Sequence, residues 1–368
     1  MTNSTKKKIQ NTVKSIGYYF WSLIYGKISE VTDAKNNKLI SVYYKKIDDL
    51  FSYQIFEIKN CRVYTDTITD TAFIVENKVI KDASFQHRNT KNSDINNNIV
   101  FYKGTPRLKK KFSGKMFSLL TGGGGNSNYW HWLFDVLPRL KILENQMNVN
   151  DIDYFLFPDL KERFQNETLD FLNIPKKKRI SSRDHRHVES DVAITVDHPY
   201  IFKNDPSSEI QNLPEWILKY LREKFLIKLN KKRFPKKFFI DRKDSKSNHR
   251  HLRKIINEEE VKEFLLKKDF TIVTLSDYSF EDQINLFNQA TEIVGLHGAG
   301  LANLTFCKPK TSVIELKSIS AGSVCENLAK KIKLDYKDIS VTPLKYIQNN
   351  QQGHINIPIN LLEKKIKL

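Results

Sequence analysis

At 368 residues the chain is longer than the size at which one hydrophobic core usually keeps growing, so two domains are the default expectation. Hydrophobic residues at 40% and charged residues at 28% exclude a disordered polymer. Sixty-one basic against 42 acidic side chains leave a net charge of +19. Such a field favours anionic partners such as phosphorylated substrates, acidic glycans, anionic lipid or nucleic acid, and chooses none of them. Cys61, Cys307 and Cys325 are too far apart for a metal-type spacing and read as reduced thiols without a disulfide framework.

Residues 1–10 are polar and basic, with no cleavage site following, so no secretory signal is expected. The apolar run 16–25 is broken by Gly17 and Ser22 and falls short of the roughly 20 residues of a membrane span. Lys6, Lys7, Lys8 and Lys14 accompany Tyr18, Tyr19, Phe20 and Trp21. Two readings stand for this stretch, residues 1–35 in all. One is an interfacial helix on an anionic membrane surface, the other a helix packed on the protein's own surface. From 50 to 80 the pattern alternates in β-type runs, at 53–58 and 72–75, and 91–98 is a polar loop. A glycine run, 122–125, leads into a helix over about 128–143; a strand at 153–157, a helix at 164–172 and a strand at 192–196 follow.

Residues 205–214, rich in Pro, Ser, Asn and Asp, suggest a boundary, and 215–229 is a helix that bridges the lobes on this reading. Strands at 237–241, 271–275, 292–296 and 312–316 alternate with helices at 258–266 and 280–290. That rhythm implies parallel βαβ units. The expected organisation is an N-terminal lobe over 36–210, a Rossmann-like lobe over 211–345 and a tail over 346–368.

Four segments carry chemistry. In Glu292-Ile-Val-Gly-Leu-His297-Gly298-Ala299-Gly300-Leu-Ala-Asn303 a strand ends in a glycine turn into a helix. There main-chain N–H groups and the helix N-terminus form a phosphate cradle. The bland alternative is a tight turn capped by His297. Next, Glu315 lies inside the apolar strand Val313-Ile-Glu-Leu316, where a buried acid needs a partner. Ribose hydroxyls would serve; an edge-strand Glu facing solvent is the alternative. Third, Asp241-Arg242 and the run Asn248 to Glu258, with Arg250 and Arg253, offer guanidinium forks for phosphate oxygens, or else a solvated basic loop. Fourth, in Asn128-Tyr-Trp130-His131-Trp-Leu-Phe-Asp135-Val-Leu-Pro138-Arg139 the His131/Asp135 pair shares a helix face and could deprotonate an acceptor hydroxyl. Taken alone, such a histidine is more often structural. Pro138 kinks or ends this helix.

Read together, these ordered segments resemble glycosyltransferase family 61, over roughly residues 122–316. The resemblance implies an α/β fold of two Rossmann-like lobes with a cleft between them, the GT-B type. It implies an inverting glycosyltransferase that moves a sugar from a nucleotide-sugar donor to a glycan or lipid-linked glycan acceptor in surface or capsular polysaccharide biosynthesis. On this reading His131 or Asp135 is the base. Arg242, Arg250, Arg253, His297, Gly298, Ala299, Gly300, Asn303 and Glu315 bind the donor. Asn128, Trp130 and Arg139 meet the acceptor. No metal or other cofactor is expected, and the location is cytoplasmic, at the inner face of the membrane if attached. Asp151-Ile-Asp153 matches a D-x-D pattern but precedes its strand, and the pairs His185/His187 and His249/His251 lie among arginines, which disfavours a cation. Two other classes compete. A basic nucleic-acid-binding protein would need a recognised motif, and none is present. The other is a non-catalytic nucleotide-sugar-binding protein of the same fold.

Overall fold

The structure, a computed structural model, describes residues 3–86, 94–121, 125–202, 205–244, 253–344 and 353–366. The chain divides into two compact units, residues 1–206 and 207–368.

The first unit opens with helix α1 (Asn3–Tyr25) and carries, among the described residues, ten strands. They are β1 (Glu30–Thr32), β2 (Ile40–Lys46), β3 (Ser52–Thr65), β4 (Asp70–Val75), β5 (Lys78–Ile80), β6 (Phe85–Gln86), β7 (Lys110–Ser118), β8 (Tyr154–Phe157), β9 (Arg179–Ser181) and β10 (His187–Val196). All join one sheet, ordered β1-β5-β4-β3-β10-β7-β8-β9, with β2 against β3 and β6 against β4. Pairing is parallel from β10 through β7, β8 and β9, and antiparallel among β2, β3, β4, β6 and β10. This unit is therefore a mixed sheet, not the fully Rossmann-like lobe expected. The β-type run 53–58 pairs antiparallel with β2 and β10, and the far end of the same strand, Arg62 to Thr65, makes an antiparallel hairpin with 71–74. The parallel part still has a switch in direction. The chain runs outward from β7 through β8 and β9, then returns to the other side of β7 as β10. Phe56, Val63, Phe73, Met116, Leu156 and Ala193 belong to its core.

Helix α2 (Pro138–Glu144) follows β7, and α3 (Arg163–Phe171) follows β8. Before α2 the chain makes one α-turn (Tyr129–His131) and then a π-turn (Trp132–Val136). The N–H of Leu137 donates to the carbonyl of Trp132, five residues back, at 3.1 Å. Pro138 has no N–H to donate and its ring crowds the preceding turn, so a widened turn ahead of it lets the helix continue beyond the proline.

The second unit holds α4 (Glu215–Phe225), β11 (Lys237–Asp241), β12 (Arg253–Ile255), α5 (Glu258–Leu266), β13 (Thr271–Thr274), α6 (Phe280–Gln289), β14 (Glu292–Leu296), β15 (Ser312–Ser318), α7 (Val324–Lys331), β16 (Asp335–Val341), β17 (Gly353–Ile355) and α8 (Ile359–Lys365). Five strands form a wholly parallel sheet in the order β13-β11-β14-β15-β16, and β12 pairs parallel with β17. Every residue of β14 and β15 is buried, as central strands covered on both faces must be. Helix α4 sits within this unit, its Arg222 Nη1 donating to the carbonyls of Thr305 and Cys307 at 2.6 and 2.8 Å. The stretch expected as a tail supplies Ile355, Ile357 and Leu362 to the same core as Phe239, Val261 and Ile314. Its apolar residues are too few to read as elements, yet they complete that core.

Candidate functional site

In doubly wound sheets ligands bind beyond the carboxyl ends of the strands, where the strand order changes direction. In the second unit that point lies between β11 and β14, because the chain goes from β11 out to β13 and then crosses back to β14. Arg242 directly follows β11 and His297 directly follows β14. A Cβ placed on Gly298 would lie 3.6 Å from the Arg242 guanidinium, so this cation rests against the glycine turn. Arg253, at the start of β12, joins them. Burial first, and then the charge of Arg242, push its pKa down to about 10. Its Nε and Nη1 are buried without a hydrogen-bond partner among the described residues. Arg253, His297, Lys317, Ser318 and Gly353 line one small cavity. Buried guanidinium donors left unmatched, with a second cation beside them, form a site built for an anion.

The turn itself departs from expectation. After His297 and the extended Gly298, the chain enters an eight-residue 3-10 helix (Ala299–Phe306), not an α-helix. Gly298, Ala299 and Gly300 stay half-exposed. A Cβ on Gly300 would come within 2.9 Å of Leu275, so glycine here permits close packing as well as open amides.

Glu315 requires a correction. It is fully buried, and neither oxygen is left for a ribose. Oε1 lies 2.5 Å from His297 Nδ1, and Oε2 accepts from the Tyr336 hydroxyl. Burial opposes its ionisation, but the His297 and Tyr336 contacts outweigh that and hold the pKa below the usual carboxylate value. The acid's partner is a histidine of the neighbouring strand end, which it orients. Asn303 is likewise fully buried, donating to Gln283 Oε1 at 2.9 Å, and belongs to the core instead of a donor pocket. Arg250 lies outside the described residues.

His297, Glu315 and Cys325 also place ligand atoms within 4.8 Å of one another. Burial and the charge of Glu315 push the Cys325 thiol well above its ordinary pKa, which keeps it protonated. A protonated thiol beside Arg253 suits a hydrogen-bonded network better than a cation.

In the first unit, Asp135 lies in the π-turn with 1% of its side chain exposed. Its Oδ2 is 2.8 Å from His131 Nδ1, and its Oδ1 accepts from the Tyr200 hydroxyl at 2.7 Å. His198 faces the same carboxylate, Nε2 to Oδ2 at 3.7 Å. The His198 Nδ1 accepts from the backbone N–H groups of Tyr200 and Ile201 at 3.3 and 3.1 Å, so its proton sits on Nε2, toward Asp135. Burial by itself would raise the Asp135 pKa, yet His131 and His198 pull it well below the usual range. For His131, burial lowers the pKa, and the charge and hydrogen bond of Asp135 outweigh burial and raise it. With Nδ1 tied to Asp135, the Nε2 of this partly exposed imidazole is left to take a proton. His131 follows β7 and His198 follows β10, parallel neighbours whose carboxyl ends lie side by side.

The expected acceptor residues fare differently. Asn128 caps the helix, its side chain accepting from the N–H of Trp130 at 2.9 Å. Trp130 is buried edge-on against Phe134, a core position, not an exposed stacking platform. Arg139 is 2% exposed, donating to the Leu120 carbonyl, Thr195 Oγ1 and the Val196 carbonyl. Its reach is inward, because the ends of β7 and β10 leave carbonyls that only a long buried donor can satisfy. Residues 122–124 of the glycine run lie outside the described residues. Gly125 is buried where a Cβ would stand 2.4 Å from Val136, so this residue packs tightly on the π-turn. Asp153 of the D-x-D pattern accepts from the N–H of Lys115.

Tyr200, His198, Lys317 and Tyr336 were missed. Asp197-His-Pro-Tyr200 follows a strand end, a position that could have been flagged. Lys317 is two residues beyond Glu315 on one strand face, a spacing open to the same reading.

The first unit thus holds a carboxylate-held histidine, and the second, a doubly wound sheet, holds guanidinium and glycine-turn groups suited to an anion. The family model described as Glycosyltransferase 61 matches residues 129–314, half of the chain, and the protein belongs to that family. It is a glycosyltransferase, with a nucleotide-sugar donor and a glycan acceptor as its general substrates. No curated protein matches the chain.

Proposed function

We propose that the protein is an inverting, metal-independent glycosyltransferase of GT-B type, the first unit handling the acceptor and the second the nucleotide-sugar donor, in the synthesis of a surface or capsular polysaccharide at the cytoplasmic side of the membrane. The acceptor hydroxyl attacks the anomeric carbon, its proton passes to His131 Nε2, and the bond from that carbon to the diphosphate oxygen breaks. Asp135 holds the resulting imidazolium and does not itself reach the substrate, since its oxygens are occupied. Arg242, Arg253 and the amides of Gly298, Ala299 and Gly300 hold the departing nucleoside diphosphate. The observation that carries this reading is the half-buried Arg253, whose buried Nε and Nη1 are unmatched among the described residues, beside Arg242.

The test is turnover with a panel of nucleotide sugars in the presence of a chelator, with the product's anomeric configuration read by NMR. His131→Ala is expected to lower kcat by about 10²- to 10⁴-fold while leaving nucleoside-diphosphate affinity nearly unchanged. Full turnover in that variant, or retained configuration in the product, would refute the mechanism.

A further inference from the structure

Helix α1 leaves one side uncovered. Ile16, Tyr19, Phe20, Leu23 and Ile24 are 64%, 68%, 54%, 68% and 52% exposed. At 100° per residue they fall on a single stripe about 140° wide. The opposite side is already docked. Trp21 stacks on Tyr25 with ring centroids 5.5 Å apart, and Tyr25 meets His187 edge-on at 4.8 Å. The Tyr25 hydroxyl accepts from the N–H of Lys109 at 3.0 Å, and Lys109 Nζ lies over its ring at 5.7 Å. With its aromatic side fixed to the first unit, the helix cannot roll its apolar stripe inward without breaking these contacts.

We infer that this stripe seats the protein on a phospholipid bilayer bearing anionic headgroups. The sequence of α1 contains Lys6, Lys7, Lys8 and Lys14 and no acidic residue, in a chain of net charge +19. Anionic headgroups complement a helix whose sequence carries lysines and no carboxylate. Tyr19 and Phe20 in the stripe are side chains suited to the headgroup level. No helix among the described residues is long and apolar enough to cross a membrane, so α1 lies along the surface. This inference is independent of the reaction proposed above.

The test uses the full-length protein with vesicles of phosphatidylcholine alone or mixed with phosphatidylglycerol. The wild type is expected to sediment with the mixed vesicles, far less with the neutral ones, and less as salt is added. A Phe20→Ser/Leu23→Ser variant is expected to bind the mixed vesicles at least ~10-fold more weakly, at an unchanged Tm because both side chains are exposed. Absent sedimentation of the wild type, or equal sedimentation of the variant, would overturn the inference. So would a wild-type dimer in vesicle-free sedimentation equilibrium that the same variant splits, which would assign the stripe to a second copy.

Discussion

On the proposed mechanism His131 and Asp135 divide the work that either residue alone could have been given. Asp135 is buried, ionised and saturated with donors, whereas His131 keeps one nitrogen free. The pH dependence follows from the sign of the His131 shift. On the proposed mechanism transfer needs the neutral imidazole, and its pKa is raised above the ordinary 6.5. Activity is therefore expected to fall as pH drops through a value above 6.5. Asp135→Asn removes the charge that raises it, leaves burial to act alone, and should move that limb of kcat/KM below 6.5. An unmoved limb would show that another group is titrating. Arg253 supports a prediction of a different kind. A guanidinium whose Nε and Nη1 are buried without a partner among the described residues destabilises the unliganded protein, so Arg253→Met is expected to raise its Tm while weakening nucleoside-diphosphate binding by at least ~10-fold, read by thermal shift with and without ligand. The His131/Asp135 spacing was legible because residues four apart share a helix face. Tyr200 was not, because it reaches Asp135 across 65 positions of sequence from beyond another strand. The need of Glu315 for a partner was also legible; the partner's identity required knowing that β14 and β15 are neighbours.

Among the elements, the π-turn before α2 is where packing and chemistry meet. Gly125 itself packs on Val136, Gln165 of α3 donates to the carbonyls of Gly125 and Asn126 at 3.1 and 2.9 Å, and Trp132 Nε1 donates to Thr168 of the same helix at 2.8 Å. Arg139, one turn on, ties α2 to the ends of β7 and β10. Arg139→Ala would strand buried carbonyls and a hydroxyl, and is expected to cost about 3–5 kcal/mol in chemical denaturation. A cost below ~1 kcal/mol would mean that water replaces the guanidinium. Strands β11, β13, β14 and β15 of the second unit were readable as short apolar runs, since a parallel sheet buried on both faces permits little else. Strand β7 was hidden by its lysines, because only its last three residues are buried. Strand β16 reads as polar for the same reason, with one buried residue, Ile339.

For the molecule as a whole, the net charge of +19 resolves into local features. Some of it lies in the lysines of α1, and a small part is the pair of guanidiniums near the head of the second sheet. Composition announced an anionic partner without locating one, because location depends on which strand ends the topology brings together. The boundary-like composition near 205–214 and the change to strand–helix rhythm made two units legible, while the mixed sheet of the first depended on long-range pairing of β3 with β10. The central claim is that arginines and main-chain amides, not a metal, neutralise the leaving diphosphate. Its most direct test is calorimetric titration of UDP, GDP, CDP and ADP into the protein with excess EDTA, for the wild type and Arg253→Gln. The expected result is chelator-insensitive binding of at least one diphosphate, weakened by at least ~10-fold in the variant. Binding that appears only with a divalent cation, or that is equal in the variant, would contradict it.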